Sequence, residues 1–193
     1  MRKLVYAINM SLDGCVDHTK QIVADEGPEY LEYFIQLMQE ADVQVFGRKT
    51  YELMVPYWPN AAKDPSSSQE DREFGEAFDA TRKVVFSRTL DPVEDAKTRI
   101  TSGNLREEIL KLKQQEGKDI LVGGVDIPSQ LIELGLIDEF IFVVAPTIVG
   151  EGRRLFDNVS LPETLQLKLV GSKFFESGRV ALHYAKESQT FRR

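Results

Sequence analysis

"VFGRKTYE", Val45 to Glu52, ends an apolar run on a glycine and follows it at once with two cations and a hydroxyl. A run of β-branched and aromatic residues that stops at glycine has the pattern of a buried strand reaching its end. The polar residues beyond it open either an ordinary solvated helix or a site for an anion. Taken alone, the stretch leaves both readings standing. What separates them is whether other strand ends repeat the chemistry.

Two others do. Phe86, closing "KVVF", is followed by Ser87-Arg88-Thr89, and Val122, closing "DILV", by Gly123-Gly124. In open α/β sheets, ligands sit beyond the carboxyl ends of the parallel strands, where helix N-termini present free N–H groups. Glycines remove side chains where a backbone approaches a ligand closely. Arginine, lysine and hydroxyl groups supply charge-assisted donors for phosphate oxygens. Each signal is weak alone, since Gly-Gly before a helix is more often a tight turn. Three of them in a chain of net charge −7 point to a local positive pocket for a ligand with several phosphates.

The remaining pattern supplies the sheet that such a pocket needs. "KLVYAIN" (Lys3–Asn9), "DVQVFG", "KVVFS", "DILVGG" and "DEFIFVVAP" are predicted strands. Pro28 begins a helix with Leu31, Ile35 and Met38 on one stripe. "PYWPNAAKDPSSSQED" has the prolines and serines of a long surface loop, leading into a helix near Arg72 to Ala80. Asn104 with Glu107 is a capping pair for a helix that ends at Gly117, and a further helix through Leu131, Ile132 and Leu134 ends at Gly135. "LQLKLVGSKFFESGRVALHYAK" alternates as antiparallel strands do. The fold class is therefore α/β: one domain over residues 1–193, with a mixed, mostly parallel central sheet, an antiparallel C-terminal hairpin and helices on both faces.

Composition closes off other classes. The 24 Lys and Arg against 31 Asp and Glu argue against a non-specific nucleic-acid binder. No apolar run approaches membrane-spanning length, and "MRKLVYAINMSLDG" turns polar too early for a signal peptide, so a cytoplasmic location is expected. The single Cys15 excludes an internal disulfide, and with only His18 and His183 beside it no metal site is expected. Cys15 has no nearby His or Asn to activate it and reads as a plain small residue. "GEGRRL" (Gly150–Leu155) lacks the third glycine of a dinucleotide fingerprint and reads as a turn, although Arg153 and Arg154 could face a ligand. "GGVDIPS" lacks the Gly-Lys-Ser/Thr of a nucleoside triphosphatase loop.

"VFGRKTYE", "VVFSRTL" and "ILVGG" together resemble the dihydrofolate reductase-like superfamily. "SLDG" (Ser11–Gly14), "GLIDEFIFVVAPTIVGEGRRLF" and "SGRVALHY" resemble more narrowly the branch related to the reductase domain of bacterial riboflavin biosynthesis. The resemblance covers nearly the whole chain in order and implies an oxidoreductase with NADPH as hydride donor. It also implies a homodimer, since related reductases commonly pair through their sheets. By that resemblance Gly47 turns the chain, and Arg48, Lys49, Thr50, Ser87 and Arg88 surround the adenosine 2′-phosphate. Gly123, Gly124 and Val125, with a helix starting near Asp126 and Ile127, hold the pyrophosphate.

The substrate half departs from both relatives. Where dihydrofolate reductases carry an acid on the first helix, this chain has Leu31 with Glu32 adjacent. Where riboflavin-pathway reductases have a lysine four residues before the serine of "SLDG", it has Ala7, and "QIVADEGPEY" replaces their Ser-x-Trp-Ile-Thr stretch. Asp13 is the first candidate for contacting the substrate or relaying a proton, weighed evenly against an Asp-Gly turn that bonds its own backbone. Glu32 is the second, against a plain surface carboxylate. Trp58, with Tyr57, either stacks on a flat heterocycle or anchors a long loop. The expected function is hydride transfer to a small pterin- or pyrimidine-like heterocycle; the rival is a nucleotide-binding regulatory or scaffold protein without turnover.

Overall fold

Strand β1 (Leu4–Ser11) turns Leu4 and Tyr6 to one side of the sheet and Val5 and Ala7 to the other, and all four are buried. A strand buried on both faces needs helices on both faces, and the computed structural model, which describes residues 1–20, 27–91, 93 and 95–187, provides them. Leu4 and Tyr6 pack with Ile109 of α5 (Leu105–Gln114) and Leu131 of α6 (Asp126–Glu133). Val5 and Ala7 pack beneath Tyr30 of α1 (Pro28–Glu40). Farther along the same side, Met38 meets Phe74 and Phe78 of α4 (Gln69–Ala80).

Among the described residues the sheet has eight strands, in the order β4-β3-β2-β5-β1-β6-β8-β7. These are β2 (Ala41–Gly47), β3 (Arg82–Phe86), β4 (Thr98–Thr101), β5 (Asp119–Val122), β6 (Glu139–Ala145), β7 (Leu167–Phe174) and β8 (Val180–Lys186). Strands β4 to β6 along that order run parallel, while β8 is antiparallel to both β6 and β7. The carboxyl ends of all the parallel strands therefore open onto one edge of the sheet. This is the mixed sheet with an antiparallel hairpin and helices on both faces that the sequence predicts.

Several local expectations need correction. Helix α2 (Arg48–Met54) follows β2 directly, and the expected long surface loop "PYWPNAAKDPSSSQED" holds a short helix α3 (Trp58–Ala61). Helix α4 starts three residues before Arg72, because Ser68 caps it by accepting from the Asp71 N–H. Helix α5 has the expected Asn104 cap, with Asn104 Oδ1 accepting from Glu107 N at 3.2 Å, but it ends at Gln114. Gly117 lies beyond the helix and is tight against Asp42 and Arg2. Strand β4 was not expected; its "TRIT" is short, partly exposed and without an apolar run. On α1 the buried residues are Tyr30 and Met38, while Leu31 and Ile35 are only partly covered, because the helix spans two packing clusters. Among the described residues, no helix is long and apolar enough to cross a membrane, and no group of three His, Cys, Asp or Glu is placed to hold a metal ion.

Candidate functional site

Register brings the three singled-out strand ends together. Gly47 pairs with Phe86, Phe86 with Thr101, and Val45 with Val122. Ser87 N donates to Thr101 O at 3.0 Å and Gly123 N to Val45 O at 3.1 Å, so the sheet spacing continues past the strands. Arg48–Thr50, Ser87–Arg88 and Gly123–Gly124 are thus neighbours on one edge. Arg48, Lys49 and Arg88 are exposed. Arg48 Nη1 lies 3.5 Å from Glu52 on the next turn of α2, an exposed pair worth only about 0.3–0.5 kcal/mol and readily exchanged for a phosphate. The Ser87 hydroxyl oxygen accepts from Thr89 N at 3.2 Å and Leu90 N at 2.9 Å, which shapes the turn carrying Arg88.

The glycines differ in their reasons. Gly47 sits at φ −87°, ψ 169°, extended backbone that any residue adopts, so the expected turn role is corrected. Its missing Cβ instead admits Ile127, whose Cγ1 would stand 3.3 Å from a Cβ there. Gly124 has φ +83°, and a Cβ on it would drive into Thr50 Oγ1. Gly123 has ordinary backbone, and a Cβ there would meet only the Phe46 ring at 3.7 Å. Thr50 and Gly124, far apart in sequence, therefore touch just beyond the strand ends and form one floor there.

Tyr6 fixes that floor from beneath. Its hydroxyl donates to Gly124 O at 2.9 Å, and the side chain is fully buried. Burial pushes its pKa upward, so the phenol is a neutral donor. Sequence reading missed Tyr6, because a tyrosine inside an apolar strand reads as core. Only the adjacency of β1 and β5 reveals its partner.

Beyond Gly124, Val125 precedes α6, Asp126 is exposed in the first turn and Ile127 is buried. The Asp126 carboxylate takes Arg153 Nη2 at 2.6 Å, and that bond holds its pKa below the usual carboxylate range, with Lys49 contributing more weakly.

Arg153 arrives on the loop after β6, which is zipped to the loop after β1. Leu12 N donates to Thr147 O (2.8 Å), Val16 N to Arg153 O (2.9 Å) and Leu155 N to Gly14 O (2.9 Å). The Asp13 carboxylate accepts from Ser11 Oγ (2.6 Å), Val149 N (3.1 Å), Gly150 N (2.9 Å) and Arg154 Nη2 (3.3 Å). The Ser11 hydroxyl foremost, then the Val149 and Gly150 N–H groups, hold its pKa well below the usual range. The bonds Asp13 makes are those of a clamp between two loops, wider than the local Asp-Gly turn considered from sequence. "GEGRRL" is a turn, with Gly150 and Gly152 at positive φ, and Cys15 is buried against Gly152.

The two positions where the resemblance calls for a lysine and an acid are both apolar: Ala7 is buried and Leu31 packs between two clusters. Glu32 is exposed. Trp58 packs on Phe74 of α4, centroids 4.1 Å apart, and edge-on against Tyr57 at 4.8 Å, the contacts of an anchor. Asn9, two residues past Ala7 on β1, has a buried Oδ1 with no hydrogen-bond partner, a polar group that sequence reading did not single out. The replacement stretch "QIVADEGPEY" lies outside the described residues over positions 21–26.

Comparison with known proteins agrees with this architecture. The uncharacterized protein YyaP of Bacillus subtilis (strain 168) is 30% identical over 188 residues, covering 95% of this chain and 94% of YyaP. A solved structure of a putative riboflavin biosynthesis protein from Shewanella sp. PV-4 superposes with a TM-score of 0.74 at 21% identity, over 96% of this chain and 99% of that one. A diaminohydroxyphosphoribosylaminopyrimidine deaminase/5-amino-6-(5-phosphoribosylamino)uracil reductase from Thermotoga maritima superposes with a TM-score of 0.68 at 14% identity, over 96% of this chain and 57% of that one. These likenesses show the dihydrofolate reductase-like fold. The family model for the RibD C-terminal domain matches residues 2–181, and the chain belongs to that family.

Proposed function

We propose that the chain is an NADPH-dependent reductase that passes a hydride to a small heterocycle of the pyrimidine or pterin class. The observation that carries this reading is the convergence at one sheet edge of Arg48–Thr50, Ser87–Arg88 and Gly123–Gly124, with Gly124 held at positive φ against Thr50. Gly124 has no room for a Cβ against Thr50, so its bare backbone stays open beside exposed cations, which suits a dinucleotide with an extra phosphate. Arg48, Lys49 and Arg88, with Ser87, take the 2′-phosphate. Thr50, the backbone of Gly123 to Val125 and the backbone N–H groups of Asp126 and Ile127 at the start of α6 take the pyrophosphate. NADPH, when bound, supplies the hydride; the protein supplies orientation and a dry pocket.

The substrate class follows from the family, together with the uracil reductase activity named for the Thermotoga protein. Ala7 and Leu31 offer no charge where either known substrate has its anchor, so dihydrofolate and the phosphorylated riboflavin precursor are poor substrates. Loss of a buried charged partner is typically worth about 2–5 kcal/mol of recognition. Asp13 and Glu32 remain the acidic candidates at or beside that half, and Trp58 the aromatic one. We place the protein in the cytoplasm as a homodimer, with Leu169, Val170 and Phe174 of β7, all exposed, on the contact face. A second reading, a nucleotide-binding protein without turnover, draws on the Asp13 carboxylate, whose two oxygens are both taken by donors of the loop clamp.

Oxidation of NADPH, followed by absorbance across a panel of pyrimidines, pterins and quinones, tests the reading. Turnover of a non-folate heterocycle with NADPH supports it. Efficient reduction of dihydrofolate overturns the substrate argument, and tight NADPH binding with no turnover on any member favours the second reading.

A further inference from the structure

The two arginines of "GEGRRL" point at different carboxylates. Arg154 serves the Asp13 clamp, whereas Arg153 reaches Asp126, immediately after the Gly123–Gly124 cradle. The backbone of Arg153 is fixed independently of that ion pair, because its carbonyl accepts from Val16 N and the next residues are pinned through Leu155 N to Gly14 O. The loop zipper therefore sets the Arg153 main chain within side-chain reach of the start of α6, with or without Asp126. Lys49 adds a weaker electrostatic pull on the same carboxylate. That carboxylate is more than half exposed and Arg153 one-third exposed, the setting in which an ion pair is weak and exchangeable.

We propose that Arg153 is a phosphate-contacting residue at the start of α6 and that Asp126 is its placeholder, surrendering the guanidinium to a pyrophosphate when a dinucleotide binds. The inference rests on the NADPH reading above and adds a residue which that reading leaves out. A diphosphate carries more charge than a carboxylate and offers guanidinium a bidentate partner, so exchange favours the ligand. Asp126 then opposes binding twice: it occupies Arg153, and its own charge repels the incoming phosphates. Removing it has the opposite sign from removing Arg153. A purely structural ion pair has no such asymmetry, since loss of either partner breaks the same contact.

The test is fluorescence titration of NADPH and NADH at low ionic strength with wild type, Arg153→Gln and Asp126→Asn, each first shown to be folded by circular dichroism. Asp126 is exposed and Arg153 half-buried, and neither substitution adds bulk, so the fold tolerates them. Arg153→Gln is expected to weaken both cofactors by a similar factor, on the order of tenfold to a hundredfold, because the pyrophosphate is common to both. Asp126→Asn is expected to tighten both by roughly two- to fivefold, an effect that salt erases. Wild type that binds NADPH while Asp126→Asn binds no tighter, or Arg153→Gln binds unchanged, overturns the placeholder alone. Wild type that binds neither cofactor removes this inference and the NADPH reading together.

Discussion

Arg154 Nη2 donates to Asp13 Oδ2 across 3.3 Å, joining loops whose residues stand 141 positions apart. With the Val149 and Gly150 N–H groups on the same carboxylate, this clamp sets where the loop after β6 crosses the strand ends.

The clamp has a pH signature. Its donors lower the folded-state pKa of Asp13 below the unfolded value of about 3.9, so its stabilisation is complete above that value. It disappears as pH falls through the lower, folded value. Thermal melts of wild type and Asp13→Asn should differ by a constant amount from pH 7 to about pH 5 and converge only in stronger acid. A difference that vanished between pH 6 and pH 7 would mean that Asp13 titrates near neutrality, as a proton relay would require.

Tyr6→Phe removes the hydroxyl that holds Gly124 O and leaves that carbonyl without its donor. The expected destabilisation is about 1–3 kcal/mol by urea unfolding, with weaker NADPH binding as the cradle loosens. Unchanged stability together with unchanged binding would show that Gly124 is held by its turn alone.

The glycine pair separates backbone demand from ligand approach. Gly124→Ala puts a Cβ at φ +83° against Thr50 and is expected to lose about 1–3 kcal/mol of stability. Gly123→Ala meets only the Phe46 ring at ordinary contact distance, so it should fold as wild type does. A cofactor lying on that backbone is nonetheless obstructed, and titration of folded Gly123→Ala should show weakened NADPH binding. Wild-type affinity in that variant would mean that the pyrophosphate does not approach Gly123.

Lys113 tests the frame behind the site. It is buried on α5, donating to Asp138 Oδ2 at 2.6 Å and Leu136 O at 3.1 Å, and Asp138 in turn accepts from Leu4 N. Lys113→Ala leaves a partly exposed carboxylate and a carbonyl unpaired, for an expected loss of about 1–3 kcal/mol in denaturant melts. A loss below a few tenths would show that water replaces the ammonium.

The strand ends were legible in the sequence because each is a local event: an apolar run, then glycine or a cation. Parallel order makes neighbours of Gly47 and Phe86 without any residue announcing it, yet the shared chemistry beyond them does. The clamp was not legible, since nothing beside Asp13 foretells Val149 or Gly150, and a local Asp-Gly turn explains the same letters. Gly47 looked like a turn former because glycine's freedom is visible in sequence, whereas the approach of Ile127 is not. Strand β4 was missed because "TRIT" lies on the sheet edge, where partial exposure removes the apolar signal. Tyr6 and Asn9 were hidden for the reverse reason: they sit inside an apolar strand, where polar tips count for little in periodicity.

Discrimination between NADPH and NADH is the most direct measurement of the central claim. Arg48, Lys49 and Arg88 are exposed at adjoining strand ends, and only a 2′-phosphate gives them work that NADH does not. Fluorescence titration should show wild type binding NADPH more tightly than NADH, and Arg48→Ala losing about 1.5–3 kcal/mol toward NADPH while its affinity for NADH stays nearly unchanged. Equal affinities in wild type, or an Arg48→Ala protein that discriminates as well as its parent, would contradict the placement of the cofactor at these strand ends.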